Sequence, residues 1–245
     1  MPTRCMLALW LTAGVLLCAE PVASDQDLRE KVSSGGRERS YRVFVPDGFG
    51  RSGPGPAVVL FNGSGSSVDG LMDPWKDIAR FGPGAFQQGA WRIPEDSPDF
   101  TRELVEALEA RFPIDPRRVY LAGHSGGAGH VLLLGLLESE YFAAVAAHAG
   151  ALRPSDTALL DVPKRKIPMA IWIGTKDQMV PLKMARDTLA VLTARGFPAK
   201  VTEIPGHTHS YSELAKDVTA QAWAFLQKEA LQTDPKYYRY PFNRP

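Results

Sequence analysis

Residues Arg118 to Gly129 read Arg-Val-Tyr-Leu-Ala-Gly-His-Ser-Gly-Gly-Ala-Gly, and few folds accommodate such a stretch. Val119 to Ala122 form a nearly all-apolar run of the kind buried on both faces of a parallel sheet, and Gly123-His124-Ser125-Gly126-Gly127 follows at once. Val131 to Leu137 then give a helix-like apolar run. A strand, Gly-x-Ser-x-Gly and a helix in succession demand a turn too tight for side chains, so glycines flank it and the serine is forced out at the edge of the sheet. Ser125 is therefore the candidate nucleophile. The competing reading, a glycine-rich phosphate loop, lacks both the Lys-Ser/Thr pair of a P-loop and the glycine spacing of a dinucleotide site.

The rest of the chain supplies a sheet for that turn to sit on. Polar and apolar residues alternate from Arg37 to Val45, which predicts one or two antiparallel edge strands ended by Pro46-Asp47-Gly48. Ala57 to Phe61 read as a second doubly buried strand, opening into the loop Asn62-Gly63-Ser64-Gly65 with its free backbone N–H groups. Between Leu71 and Asp99 only a helical turn at Pro74 to Ala79 and a weak strand at Ala90 to Ile93 are legible, because Gly82, Pro83, Gly84 and Gly89 break the pattern. Asp99 to Phe112 read as an amphipathic helix stopped by Pro113. Strands follow at Phe142 to Ala147, Ile167 to Ile173 and Lys200 to Ile204. Helices follow at Leu182 to Arg195, closed by Gly196, and at Ser212 to Leu231. Alternation of this kind predicts an α/β chain: a doubly wound, mostly parallel sheet with helices on both faces. The short span from Gly150 to Ile167 leaves no room for a large lid. Gln232 to Pro245, rich in Tyr and Arg, is expected to pack on the body as a strand-like segment, with a partner or carbohydrate contact as the alternative.

In open parallel sheets, reactive groups gather at the carboxyl ends of the strands. Four strand ends here carry candidates: Asn62-Gly63-Ser64, Ser125, Asp177, and His207 or His209. Acyl transfer needs a nucleophile, a base, a carboxylate to orient the base, and donors for the developing oxyanion. Asp177 is the candidate acid, with Asp156 and Asp161 as rivals in a connector. His209 is preferred to His207 as the base. The oxyanion donors would be the amides of Gly126 and Ser64. A His-x-His metal site is the other reading of residues 207 to 209, but no Cys and no His-x-x-x-His pair accompanies it, so neither metal nor cofactor is expected. His124, His130 and His148 are expected to pack or hydrogen-bond, His148 with a place at the cleft.

Composition narrows the partners. With 28 Lys and Arg against 27 Asp and Glu the net charge is +1, which provides no field to hold nucleic acid or an anionic membrane. The substrate is expected to be a small-molecule or oligomeric ester. Arg4, the apolar run Met6 to Cys18, and the small residues near Ala19 and Ala23 predict a secretory signal over residues 1–23. The remainder, 24–245, would form a single catalytic domain, secreted or periplasmic and without stable membrane insertion. Cys5 and Cys18, the chain's 2 cysteines, both lie in the signal, so no disulfide is expected.

Arg118 to Gly127, Phe142 to Ala146 ending at Gly150, Gly174-Thr175-Lys176-Asp177, and Gly206-His207-Thr208-His209-Ser210-Tyr211 before Ala222-Trp223-Ala224-Phe225-Leu226 together resemble the polyhydroxybutyrate depolymerase and feruloyl esterase branch of the α/β-hydrolases. The resemblance spans about residues 37 to 230. It implies an α/β-hydrolase fold, Ser125 as nucleophile, Asp177 as acid, and His209 rather than His207 as base. The chain departs from the family in having Asn62-Gly63 where His-Gly is usual, in a shorter segment before Asp99, and in lacking a separate polymer-binding domain. Two other functions fit the same triad order or fold: a serine peptidase of the prolyl oligopeptidase kind, and a non-catalytic binding protein.

Overall fold

Side chains alternate across the central strands, and their alternation divides the core in two. In a computed structural model that describes residues 21–66, 68–78, 91 and 98–238, five parallel strands lie in the order β3-β4-β5-β6-β7: β3 Gly55–Phe61, β4 Ile114–His124, β5 Val145–His148, β6 Met169–Gly174 and β7 Ala199–Ile204. Val58, Leu60, Tyr120, Ala122, Ala146 and Trp172 face one side. There they meet Leu71, Met72 and Trp75 of α1 (Val68–Ile78) and Val218, Ala222 and Leu226 of α5 (Ala215–Leu226). Ala57, Val59, Phe61, Leu121, Val145 and Ile171 face the other, against α2 (Pro98–Glu109), α3 (Gly126–Leu137) and α4 (Leu182–Ala194). A period of two along the strands thus feeds two apolar layers, each covered by helices. This is the expected α/β architecture, with helices on both faces.

Two expectations need correction. The alternating stretch does form a strand, β2 (Arg37–Val45), but it pairs antiparallel with β1 (Gln26–Ser34), and the two make a separate sheet rather than an edge of the parallel one. Gly35 and Gly36 both take positive φ, as a two-residue hairpin turn requires, and set Ser34 opposite Arg37. Arg42, almost buried, then clamps the hairpin through its guanidinium to Asp27 and to Asp69 at the start of α1. The second correction concerns α1, which is longer than the turn read at Pro74 to Ala79 and carries Pro74 in its interior. Burial of Leu71, Met72 and Trp75 against α5 holds that helix despite the missing N–H.

The proposed strand at Ala90 to Ile93 lies outside the described residues except for Trp91, which belongs to no strand. The connector after Gly150 contains a short 3₁₀ helix, Pro154–Asp161. The tail does pack on the body through residue 238, without forming a strand: Tyr237 Oη donates to Asp99 Oδ1 at 2.6 Å, and the Tyr238 N–H donates to Glu138 Oε2 at 3.0 Å. Residues 239–245 of that tail lie outside the described residues, as do residues 1–20 of the expected signal. Val22, just inside the expected signal boundary, is buried and shares backbone hydrogen bonds with Gly48 and Phe49.

Candidate active site

Close approach of backbones makes the turn after β4 what it is. A Cβ on Gly123 would lie 2.5 Å from the Gly127 carbonyl oxygen, and one on Gly127 would lie 2.0 Å from that of Phe61. Neither position accepts a side chain. Between them Ser125 is held at φ 55°, a left-handed value that costs a non-glycine residue about 1–3 kcal/mol. Its N–H is tied to the His148 carbonyl at 2.9 Å, and α3 starts at the next residue.

Asp177 and His209 come from the loops after β6 and β7, which are stitched together. The Thr175 N–H donates to the Ile204 carbonyl at 3.0 Å, the Lys176 N–H to the His207 carbonyl at 2.9 Å, and the Gly206 N–H to Thr175 Oγ1 at 2.8 Å. Asp177 is buried. Its Oδ1 accepts the Met179 and Val180 N–H groups at 2.9 and 2.8 Å, so its other oxygen is aimed at the histidine. A carboxylate only accepts, so His209 carries its proton on Nδ1 and donates it to Asp177 Oδ2 at 2.8 Å. Nε2 is then free to accept from the Ser125 hydroxyl, at 2.7 Å. Ser125, His209 and Asp177, read separately from three strand ends, thus stand in one hydrogen-bonded chain. His207 is not part of it: the ring is buried, and its Nδ1 lies 3.6 Å from Glu213 Oε2. Asp156 and Asp161 are also elsewhere, bonded to Arg153 and Arg195 respectively.

Ser64 and Gly126 both border the cavity that Ser125 opens into, and a Cβ on Gly126 would lie 3.6 Å from the Ser64 nitrogen. The two residues are therefore close neighbours beside the serine. Asn62 explains how the Ser64 loop keeps its shape. Its buried Nδ2 donates to the Gly63 carbonyl at 3.2 Å and the Ser66 carbonyl at 3.0 Å, bracing the turn from beneath.

Behind the base lie two of the histidines expected to pack or hydrogen-bond, and they bond to each other. His124 and His148 meet Nδ1 to Nδ1 at 3.0 Å, so one ring donates and the other accepts, in opposite neutral tautomers. The His124 ring is also 5.1 Å from that of His209. Burial, reinforced by the His209 imidazole, pushes His124 down to about 4. Burial and the neighbouring His124 push His148 down to about 3.

The cavity itself has a volume of about 750 Å³, with walls from Trp91, Leu133, Val180 and Met184 and a rim that includes Met179 and Arg153. Trp91 is fixed by its indole N–H, which donates to the Asn62 carbonyl at 2.8 Å, and by edge contact with Phe61 at 4.6 Å. Trp91 falls within the weak strand expected at Ala90 to Ile93, which gave no sign of a place at the cavity. Among the described residues no three His, Cys, Asp or Glu side chains converge as a metal site requires.

Comparison with known proteins bears on this arrangement. The model of the Esterase family, described as "Putative esterase", matches residues 73–232. The chain belongs to the Esterase family. Its fold is that of the α/β-hydrolases. A curated relative, the S-formylglutathione hydrolase of Mus musculus, is 26% identical over 155 residues, which is 62% of this esterase. The match spans only 48% of that protein, about half its length. Among solved structures, the S-formylglutathione hydrolase of Staphylococcus aureus aligns with a TM-score of 0.69 at 14% identity, covering 85% of this esterase and 98% of that chain. The ferulic acid esterase of the anaerobic fungus Anaeromyces mucronatus aligns at 0.63 and 20% identity, covering 85% and 91%. At such identities the structural likeness speaks for the fold.

Proposed function

We propose that this esterase is exported and cleaves carboxylic esters through a Ser125-His209-Asp177 triad and an acyl-enzyme intermediate. One observation carries the reading: the unbroken chain from Ser125 Oγ to His209 Nε2 at 2.7 Å and from His209 Nδ1 to Asp177 Oδ2 at 2.8 Å, on a serine held at positive φ. As Ser125 Oγ attacks the ester carbonyl carbon, its proton passes to His209 Nε2, and Asp177 stabilises the imidazolium through Nδ1–H. The charge that develops on the carbonyl oxygen is met by the Ser64 and Gly126 amides. His209 returns the proton to the departing alcohol oxygen, and a water molecule then repeats the sequence on the acyl-enzyme, releasing the acid.

The apolar walls and the size of the cavity favour a small or oligomeric ester with an apolar or aromatic group against Trp91. Residues 1–23 act as the export signal in this reading and 24–245 as the catalytic domain. A cut ahead of Val22 would keep that residue's core contacts, whereas a chain starting at residue 24 would lose them. The near-balanced charge gives nucleic acid no foothold.

Hydrolysis of p-nitrophenyl esters, feruloyl esters and a thioester by wild type, Ser125→Ala, His209→Ala and His207→Ala tests the reading. Ser125→Ala and His209→Ala should lower kcat by about 10⁴-fold or more, while His207→Ala stays within about tenfold of wild type. Wild type no more active than Ser125→Ala on every substrate would overturn it.

A further inference from the structure

The cavity beside Ser125 carries two charged residues among the described ones that line it, Arg153 and Asp156, and they are unequal partners. Asp156 is buried and its carboxylate is spent. Oδ2 accepts the Arg153 backbone N–H at 2.8 Å and Nε–H at 3.2 Å, and Oδ1 accepts from Arg153 Nη2 at 3.3 Å and lies 3.2 Å from Ser155 Oγ. The Arg153 side chain is 68% exposed, and its Nη1 makes no hydrogen bond among the described residues. The carboxylate therefore acts as an anchor: it fixes the guanidinium by one edge and leaves the remaining donors at the rim of the cavity. A guanidinium immobilised in this way loses little side-chain entropy on meeting an anion, and its fork matches the geometry of a second carboxylate. A purely structural cap would need only the backbone N–H bond to Asp156.

Resting on the esterase reading above, we infer that Arg153 is a specificity-determining residue that selects esters bearing a carboxylate on the part of the substrate lying in this cavity. The apolar walls take the carbon chain between the scissile ester and the acid group, and Arg153 takes the acid. Because the site is open to water, the preference is moderate and salt-sensitive.

The test uses the mature enzyme with p-nitrophenyl hemiesters of dicarboxylic acids of increasing length, each paired with its neutral methyl ester. Wild type should prefer the acid at one chain length by roughly tenfold in kcat/KM, chiefly through KM, and the preference should shrink in 0.5 M salt, about a 4 Å screening length. Arg153→Gln keeps the backbone cap and should abolish the preference while leaving hydrolysis of the neutral esters within about twofold. Arg153→Lys should restore part of it. Absence of any preference in wild type at all lengths, or a preference that survives in Arg153→Gln, would overturn the inference while leaving the esterase reading intact. Inactivity of wild type on every ester in the set would overturn both.

Discussion

The His124 and His148 pair makes the site's dependence on pH a matter of single residues. Both rings sit well below the ordinary histidine value of 6.5 because burial penalises the charged form, and a proton added to the pair would leave two Nδ1–H groups facing each other. Above pH 6.5 neither the folded nor the unfolded chain protonates them. As pH falls below that value the unfolded chain takes up protons that the folded pair refuses, so stability falls, down to about 4 for His124 and about 3 for His148. Urea unfolding of His148→Gln should therefore show a shallower loss of stability between pH 6.5 and 5 than wild type, the difference being on the order of 1 kcal/mol per pH unit. Equal slopes would remove the pair from the account. Ser125, Asp177 and His209 were legible in the sequence because acyl transfer needs those residue types at strand ends, and strand ends can be read locally. The place of Trp91 against Asn62 and the pairing of His124 with His148 were not, because each contact joins residues more than twenty positions apart in the chain.

Among the elements, the parallel strands were the most readable, since burial on both faces leaves an unbroken apolar run. β1 was missed because Gln26-Asp27-Leu28-Arg29-Glu30 is largely charged; Leu28 and Val32 pack against the core, and cross-strand ion pairs and the Arg42 clamp hold the rest. The tail shows the same limit. Its role emerges only from what it covers: Tyr237 packs under the Arg102 guanidinium at 4.9 Å and edge-on to Tyr141 at 5.7 Å, and Tyr238 closes over Glu138. Burial pushes the Glu138 carboxyl up to about 8, partly opposed by the Tyr238 N–H. A carboxyl raised above its ordinary 4.5 contributes stability that is present below that value and is lost as pH rises toward 8. Truncation after Leu231 should cost about 2 kcal/mol, more at pH 5 than at pH 8, and leave kcat/KM unchanged, because no described tail residue borders the cavity. A loss of activity at unchanged stability would place the tail in the site instead.

At the scale of the whole molecule, the parallel sheet brings four loops, each fixed by its own backbone bonds, to one rim. The stitched loops after β6 and β7 set Asp177 against His209, the strained turn after β4 sets Ser125 against His209, and the Asn62-braced loop after β3 brings Ser64 to the same cavity. No helix among the described residues is long and apolar enough to cross a membrane. The central claim is that this assembly makes Ser125, and no other serine, a nucleophile. Treatment of the protein with a fluorophosphonate followed by peptide mass spectrometry tests it directly. A single adduct on the peptide carrying Ser125, formed as readily in His207→Ala as in wild type and much more slowly in His209→Ala, is the predicted result; no adduct, or one on another serine, would contradict the account.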